Sequence, residues 1–226
     1  MTVRAAFSDA LLQRRATADL IAAGIRERIL AGDLVSGDPL REAELAAAFG
    51  VARNTVREAL RLLTQGGLAA YEMHRGVTVR LHTPGEVAAV FEVRAIIEAA
   101  VARRAGTLQA SEVARLRAAL EDSERAAAAG DVKGILTGNL EFHRELVRLL
   151  GNPKLDDIFN QLVAELRLIL NSLDRDVGGP WLGRNRELLE LIVEGDADAF
   201  RDRLQRYLDD ARRDVVARLE PGVGGR

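Results

Sequence analysis

The chain has 226 residues, 48% of them apolar and 29% charged, the balance of an ordinary globular protein long enough for one or two domains. It has no cysteine, which excludes disulfides, thiolate metal sites and a cysteine nucleophile. The net charge of −2 is unevenly spread: residues 1–82 carry 11 Arg against 9 acids, whereas residues 83–226 carry 21 Lys and Arg against 25 acids.

The N-terminal "MTVRAAFSDALLQRR" lacks an apolar run ahead of a small-residue cleavage site, and no later stretch approaches the roughly 18 apolar residues of a membrane helix. A cytoplasmic protein with no membrane partner is expected. Residues 17–31 place Ile21, Ile25, Ile29 and Leu30 on one side of a helix, which the turn-rich "GDLVSGDP" ends. A second, short helix over 41–49 stops at Gly50, and a third over 52–65 stops at Gly66-Gly67. "LAAYEM" and "VTVRL" flank "HRG" as the two arms of a β-hairpin. Helix, short helix, tight glycine turn, helix and hairpin is the layout of a winged helix-turn-helix. "HTPGE" at 82–86 marks a boundary between two domains, expected at 10–82 and 83–220. Beyond it come six helical patterns, 85–106, 111–129, 132–150, 153–173, 181–194 and 196–219, with connections short enough for an antiparallel bundle. The fold expected is mainly α, a winged helix-turn-helix followed by an all-helical bundle. The closing "PGVGGR" is expected to be disordered.

"LAAAFGVARNTVREALRLL" carries the most specific chemistry. Gly50 permits the turn, and Val51, Val56, Leu60 and Leu63 can hold the following helix to the core. Arg53, Arg57 and Arg61 recur at four-residue steps and line one exposed face, with Asn54 and Thr55 in the first turn. Arginine can read guanine edges, asparagine can read adenine, and threonine at a helix N-terminus suits phosphate. His74 and Arg75 lie at the hairpin tip, where a wing enters an adjacent groove. An arginine stripe alone is more often a solvated face; the helix-turn-helix frame is what favours DNA.

"LREAELAAAFGVARNTVREALRLLTQGGL" followed by "HRGVTV" resembles the N-terminal domain of the GntR superfamily of bacterial repressors. The resemblance implies that Arg53, Asn54, Thr55 and Arg57 meet operator DNA, with His74, Arg75 and Gly76 in the wing. Three departures stand out. Ala52 replaces the usual serine, so the recognition helix loses a cap worth about 1 kcal/mol. Asn54-Thr55 replaces threonine-proline, and Ala43 stands where the family often has an arginine, with Arg41 two residues away.

In the second half the apolar stripes contain residues that do not belong. Arg94 falls among Val87, Val90, Phe91, Ile97 and Val101. His143 is in register with Leu136, Leu140, Val147 and Leu150, Asn185 with Leu182, Leu189 and Ile192, and Tyr207 with Phe200, Leu204, Leu208, Ala211 and Val215. Buried polar groups require partners, so these either satisfy one another or line a pocket. Arg94 in particular requires an acid, a ligand or water. Four together favour a polar pocket inside the bundle.

"FEVRAIIEAAVARRA", "NLEFHRELVRLLGNPKL" and "NRELLELIVEGDADAFRDRLQRYL" resemble the FCD domain, the helical effector-binding half of the FadR branch of GntR proteins, in its shorter VanR-like form. Many FCD domains hold a divalent metal through one aspartate and three histidines. The four positions correspond to Asn139, His143, Asn185 and Tyr207, of which only His143 keeps a ligand, so no metal cofactor is expected. The resemblance instead implies an effector, a small organic acid or other polar metabolite, gripped by Arg94 with Asn139, His143, Asn185 and Tyr207 as hydrogen-bonding groups. A homodimeric, effector-responsive repressor, not an enzyme, is the leading expectation. An enzyme built on the inner cluster is the rival, but the inner faces show no paired carboxylates, nucleophile motif or phosphate loop. A helical interaction protein that no longer reads DNA is the third reading.

Overall fold

The computed structural model describes residues 9–173 and 179–219, with backbone only at 9–14, 179 and 180. "PGVGGR" lies outside the described residues, as does the start of the N-terminal segment. The chain divides into two compact units, Met1–Leu81 and His82–Arg226.

The first unit contains α1 (Asp9–Ala31), α2 (Glu42–Phe49), α3 (Arg53–Gln65), β1 (Ala69–Glu72) and β2 (Gly76–Val79). α1 begins earlier than the 17–31 pattern suggested, and the strands are shorter than their apolar runs. α1 and α2 both pack on α3, whose inner side is Val56, Ala59, Leu60 and Leu63. Val51 is only half-buried. α2 stops because Gly50 takes a left-handed conformation, φ 65°, which lets the amides of Gly50 and Val51 bond back to the carbonyls of Ala47 and Ala46. This reversal sets α3 at an angle to α2, the turn of the helix-turn-helix. β1 and β2 pair antiparallel with Tyr71 opposite Val77 and Glu72 opposite Gly76. The segment around Pro39 lies along the other edge of β2, with bonds from Gly37 N to Val79 O and from Leu40 N to Val77 O. Proline lacks the amide that a ladder would need, and at this edge none is required.

The second unit is a bundle of α4 (Pro84–Ala99), α5 (Ala110–Ala128), α6 (Val132–Arg148), α7 (Pro153–Asn171), α8 (Gly179–Glu194) and α9 (Ala197–Leu219). The boundary is sharply built. The Thr83 hydroxyl accepts from Glu86 N, the Glu86 carboxylate accepts from Thr83 N, and Pro84 occupies the first helical turn. α4 was expected to run to 106, but it ends at Ala99 and continues as a 3-10 turn, Ala100–Arg104. Arg104 ties that turn down through Glu112 on α5 and the Leu149 carbonyl. Sequence neighbours α5 and α6, α6 and α7, and α8 and α9 pack on each other, while α4 packs chiefly on α9 and also on α7 and α6. α5 and α6 approach closely because Gly138 has no side chain: a Cβ there would lie 2.6 Å from that of Ser123. Among the described residues no helix is long and apolar enough to cross a membrane.

Candidate functional site

The first candidate surface is α3 with the hairpin tip. Arg53, Asn54, Arg57 and Arg61 are exposed on α3, as the four-residue spacing requires. Thr55, expected to meet DNA, is not among them: it is 6% exposed and lies on the inner side with Val56 and Ala59. Ala52 sits at the N-cap in extended conformation with no side-chain bond, leaving the first amides of α3 without a side-chain acceptor from the cap. Two of the arginines are held in place. Arg57 Nε and Nη2 each donate to the Glu42 carboxylate on α2 at 2.9 Å, and Arg61 donates from both nitrogens to Glu58. Hydrogen bonding from Arg57 holds the Glu42 carboxyl below its usual range. These pairs face water, so they fix direction more than they stabilise, and a phosphate can replace the acid. Arg53 makes no ion pair among the described residues.

The hairpin turn is held by Glu72, which accepts from Arg75 Nη1 and from the Thr78 hydroxyl, both at 3.0 Å. His74 has φ 67°, the one positive value for a non-glycine among the described residues, and Gly76 follows at φ 80°. The tip thus presents Met73, His74 and Arg75 to solvent.

The second candidate site lies inside the bundle. Arg94 (3% exposed), Asn139 (3%), His143 (0%), Asn185 (1%) and Tyr207 (1%) are all buried, and the structure brings them together. Asn139 Oδ1 accepts from Asn185 Nδ2 at 2.7 Å and from the Tyr207 hydroxyl at 3.1 Å. The His143 and Tyr207 rings lie 5.0 Å apart by centroid. Sequence reasoning missed the central residue, Glu98, which is fully buried. Its Oε1 accepts from Arg94 Nε at 2.8 Å and its Oε2 lies 2.5 Å from His143 Nδ1. The signal was present, since Glu98 follows Arg94 by one helical turn and continues the register of Val87, Phe91 and Arg94. Arg184, beside Asn185, was also missed; its guanidinium lies 6.0 Å from the Tyr207 ring centre and pairs with Asp210.

The charge states follow from these contacts. Burial opposes the charge on Glu98, but Arg94 and His143 beside it outweigh burial and hold the carboxyl below 4.5. Burial pushes the His143 imidazole below 6.5, against the pull of Glu98 and with the help of Arg94, so the ring is neutral at neutral pH. Burial raises the Tyr207 phenol to about 12, which keeps it a hydrogen-bond donor. A neutral His143 facing an ionised Glu98 must carry its proton on Nδ1.

This donor set does not suit the divalent metal that the fold family often holds. Asn139 Oδ1 already takes two donors, both Glu98 oxygens are engaged, and what remains is one imidazole nitrogen and one amide oxygen. Among the described residues no three His, Cys, Asp or Glu are placed to hold an ion. Two clefts of the unit, of about 460 Å³ near Arg186 and about 660 Å³ between α5 and α6, are lined by none of these residues.

A winged helix-turn-helix with an arginine-lined recognition helix, joined to a helical bundle with a polar cluster, defines a class of two-part regulators. Residues 17–79 match the gntR family of bacterial regulatory proteins and residues 89–210 match the FCD domain. The chain belongs to the GntR family, in the branch that carries an FCD domain. It is 29% identical, over 73% of its length and 74% of the relative's, to a protein of Paenarthrobacter nicotinovorans described as a probable D-xylose utilization operon transcriptional repressor. It is 31% identical, over 67% of its own length and 62% of the relative's, to the gluconate operon transcriptional repressor of Bacillus licheniformis. Among solved structures, a GntR transcriptional regulator from Rhodococcus sp. RHA1 matches with a TM-score of 0.81 at 29% identity, covering 89% of this chain and 98% of that one.

Proposed function

We propose that the protein is a cytoplasmic transcriptional repressor that binds operator DNA as a homodimer and whose affinity for DNA is altered by a small polar metabolite bound at the buried cluster. The observation that carries the reading is the exposed face of α3, where Arg53, Asn54, Arg57 and Arg61 follow the Gly50 turn. A helix so placed presents its N-terminal side chains to base edges in the major groove, and the wing bearing His74, Arg75 and Gly76 meets the flanking backbone or minor groove. The names of the xylose and gluconate relatives support repression of a catabolic operon. Two copies, each with one recognition helix, read two half-sites, and a ligand acts by changing which spacing the pair favours.

The test is retardation of DNA from upstream of the protein's own gene, at several salt concentrations, with wild type and the double variant Arg53→Ala/Arg57→Ala. Specific binding that weakens with salt and is lost in the variant is expected. Equal retardation by wild type and variant would remove α3 from the interface.

A further inference from the structure

Most polar atoms of the cluster are matched within it, and the unmatched ones form a pattern. Four buried atoms of the cluster have no partner among the described residues: Arg94 Nη2, Arg184 Nη1, His143 Nε2 and Asn185 Oδ1. They come from three helices, α4, α6 and α8. His143 stacks near the Tyr207 ring, Arg184 lies over it, and Asn185 shares its acceptor, Asn139 Oδ1. Arg94 is bound to the same Glu98 as His143.

The four atoms divide into two donors and two acceptors. The guanidinium nitrogens of Arg94 and Arg184 can only donate. His143 carries its proton on Nδ1 toward Glu98, so Nε2 offers a lone pair. Asn185 uses its Nδ2 to donate to Asn139, so its free Oδ1 can only accept. Glu98 pairs with Arg94 at 2.8 Å, and Asp210 pairs with Arg184 at 3.1 Å while also pairing with the exposed Arg213.

We infer that the cluster takes an uncharged polyhydroxylated molecule, a sugar, rather than an organic acid. The inference rests on the effector-responsive reading above and names the ligand class of that site. A hydroxyl both donates and accepts, so two or more hydroxyls can satisfy the arginines and the two lone pairs together. A carboxylate only accepts. It would leave His143 Nε2 and Asn185 Oδ1 facing its oxygens, and would place a second carboxylate beside that of Glu98. The anion grip expected of Arg94 is taken by Glu98, an internal carboxylate. Arg184, whose side chain is 24% exposed, is the member of the set that reaches solvent.

The experiment uses matched pairs that differ in charge: D-xylose and xylonate, D-glucose and gluconate, D-galactose and galactonate. Binding to the full-length protein is read from the fluorescence of the only tryptophan, Trp181, which is buried on α8 one turn before Asn185. Calorimetry provides the second readout. At least one neutral sugar is expected to bind at least about tenfold more tightly than its acid, the factor that 1.4 kcal/mol represents. Asn185→Leu should abolish that binding, and Glu98→Gln, which frees the charge of Arg94, should shift the preference toward the acid. Tighter binding of the acids to wild type overturns the inference, and so does the absence of binding by all six compounds. Operator retardation with the same compounds separates the two claims. If an acid binds more tightly than its sugar and alters operator affinity, the regulatory reading stands and the sugar inference falls. If wild type does not bind DNA at all, the regulatory reading falls as well.

Discussion

Replacing Glu98 with alanine strikes the point on which the helical unit's polar interior hangs. Glu98 is 0% exposed and receives both Arg94, itself 3% exposed, and His143, 0% exposed. The truncation leaves a guanidinium and an imidazole N–H buried without their acceptor. Removing one partner of a buried ion pair typically costs about 3–5 kcal/mol, because the remaining charge keeps its desolvation penalty. At about 2–4 °C per kcal/mol for a chain of this size, the melting transition of the helical unit should fall by about 6–20 °C. Trp181 lies in that unit and reports its unfolding by fluorescence, separately from the winged helix. Arg94→Leu/Glu98→Leu, which removes both charges, should recover most of the loss. The pH arm has a definite sign. Glu98 is depressed below 4.5 and His143 below 6.5, so the unfolded chain binds more protons than the folded one as pH falls. The stability that His143 contributes is present above pH 6.5 and is lost as pH falls through its folded value; the Glu98 contribution is lost further down, below 4.5. His143→Gln should therefore flatten the decline that sets in as pH falls below 6.5. A Glu98→Ala protein melting within about 2 °C of wild type would refute the argument that this carboxylate neutralises a buried charge.

Other substitutions test local claims. Ala52→Ser should restore the missing cap of α3 and raise stability by about 1 kcal/mol in chemical denaturation. Gly138→Ala should destabilise by about 1–3 kcal/mol, since its Cβ would meet Ser123 Cβ at 2.6 Å and Ser123 N at 2.7 Å, outweighing alanine's better helix propensity. Gly183→Ala, with nothing within 4 Å of its Cβ, is the control and should be neutral or slightly stabilising. Arg57→Ala should weaken operator binding and lower the salt slope by about 1, while Thr55→Val should leave sequence preference unchanged because Thr55 faces inward.

The apolar periodicity of the second half was strong enough to expose its exceptions: Arg94, His143, Asn185 and Tyr207 interrupt stripes otherwise made of Leu, Val and Phe, and all four prove buried. Gly50 and the arginine steps likewise marked the helix-turn-helix without help from any tertiary contact. Glu98 escaped because a stripe is read by its apolar members and the half-buried Ile97 beside it took the place in the pattern. Only the pairing with Arg94 shows why a carboxylate belongs there. The inward turn of Thr55 was not legible, because a small residue beside Asn54 in a first turn gives no apolar signal of its own and its burial is decided by packing within the unit. The end of α4 at Ala99 was hidden for a similar reason, since "EAAVARRA" is a good helical sequence and the 3-10 turn is fixed from outside by Arg104 contacts.

The most direct test of the whole account is a fluorescence anisotropy titration of DNA from upstream of the protein's own gene, with and without a small-molecule extract of the source cells. Wild type should bind the DNA, and the extract should change the dissociation constant by about 5- to 150-fold, the usual range of such coupling. Asn185→Leu should bind the same DNA with no response to the extract. A wild-type protein that fails to bind the DNA, or an Asn185→Leu variant that responds as wild type does, contradicts the account.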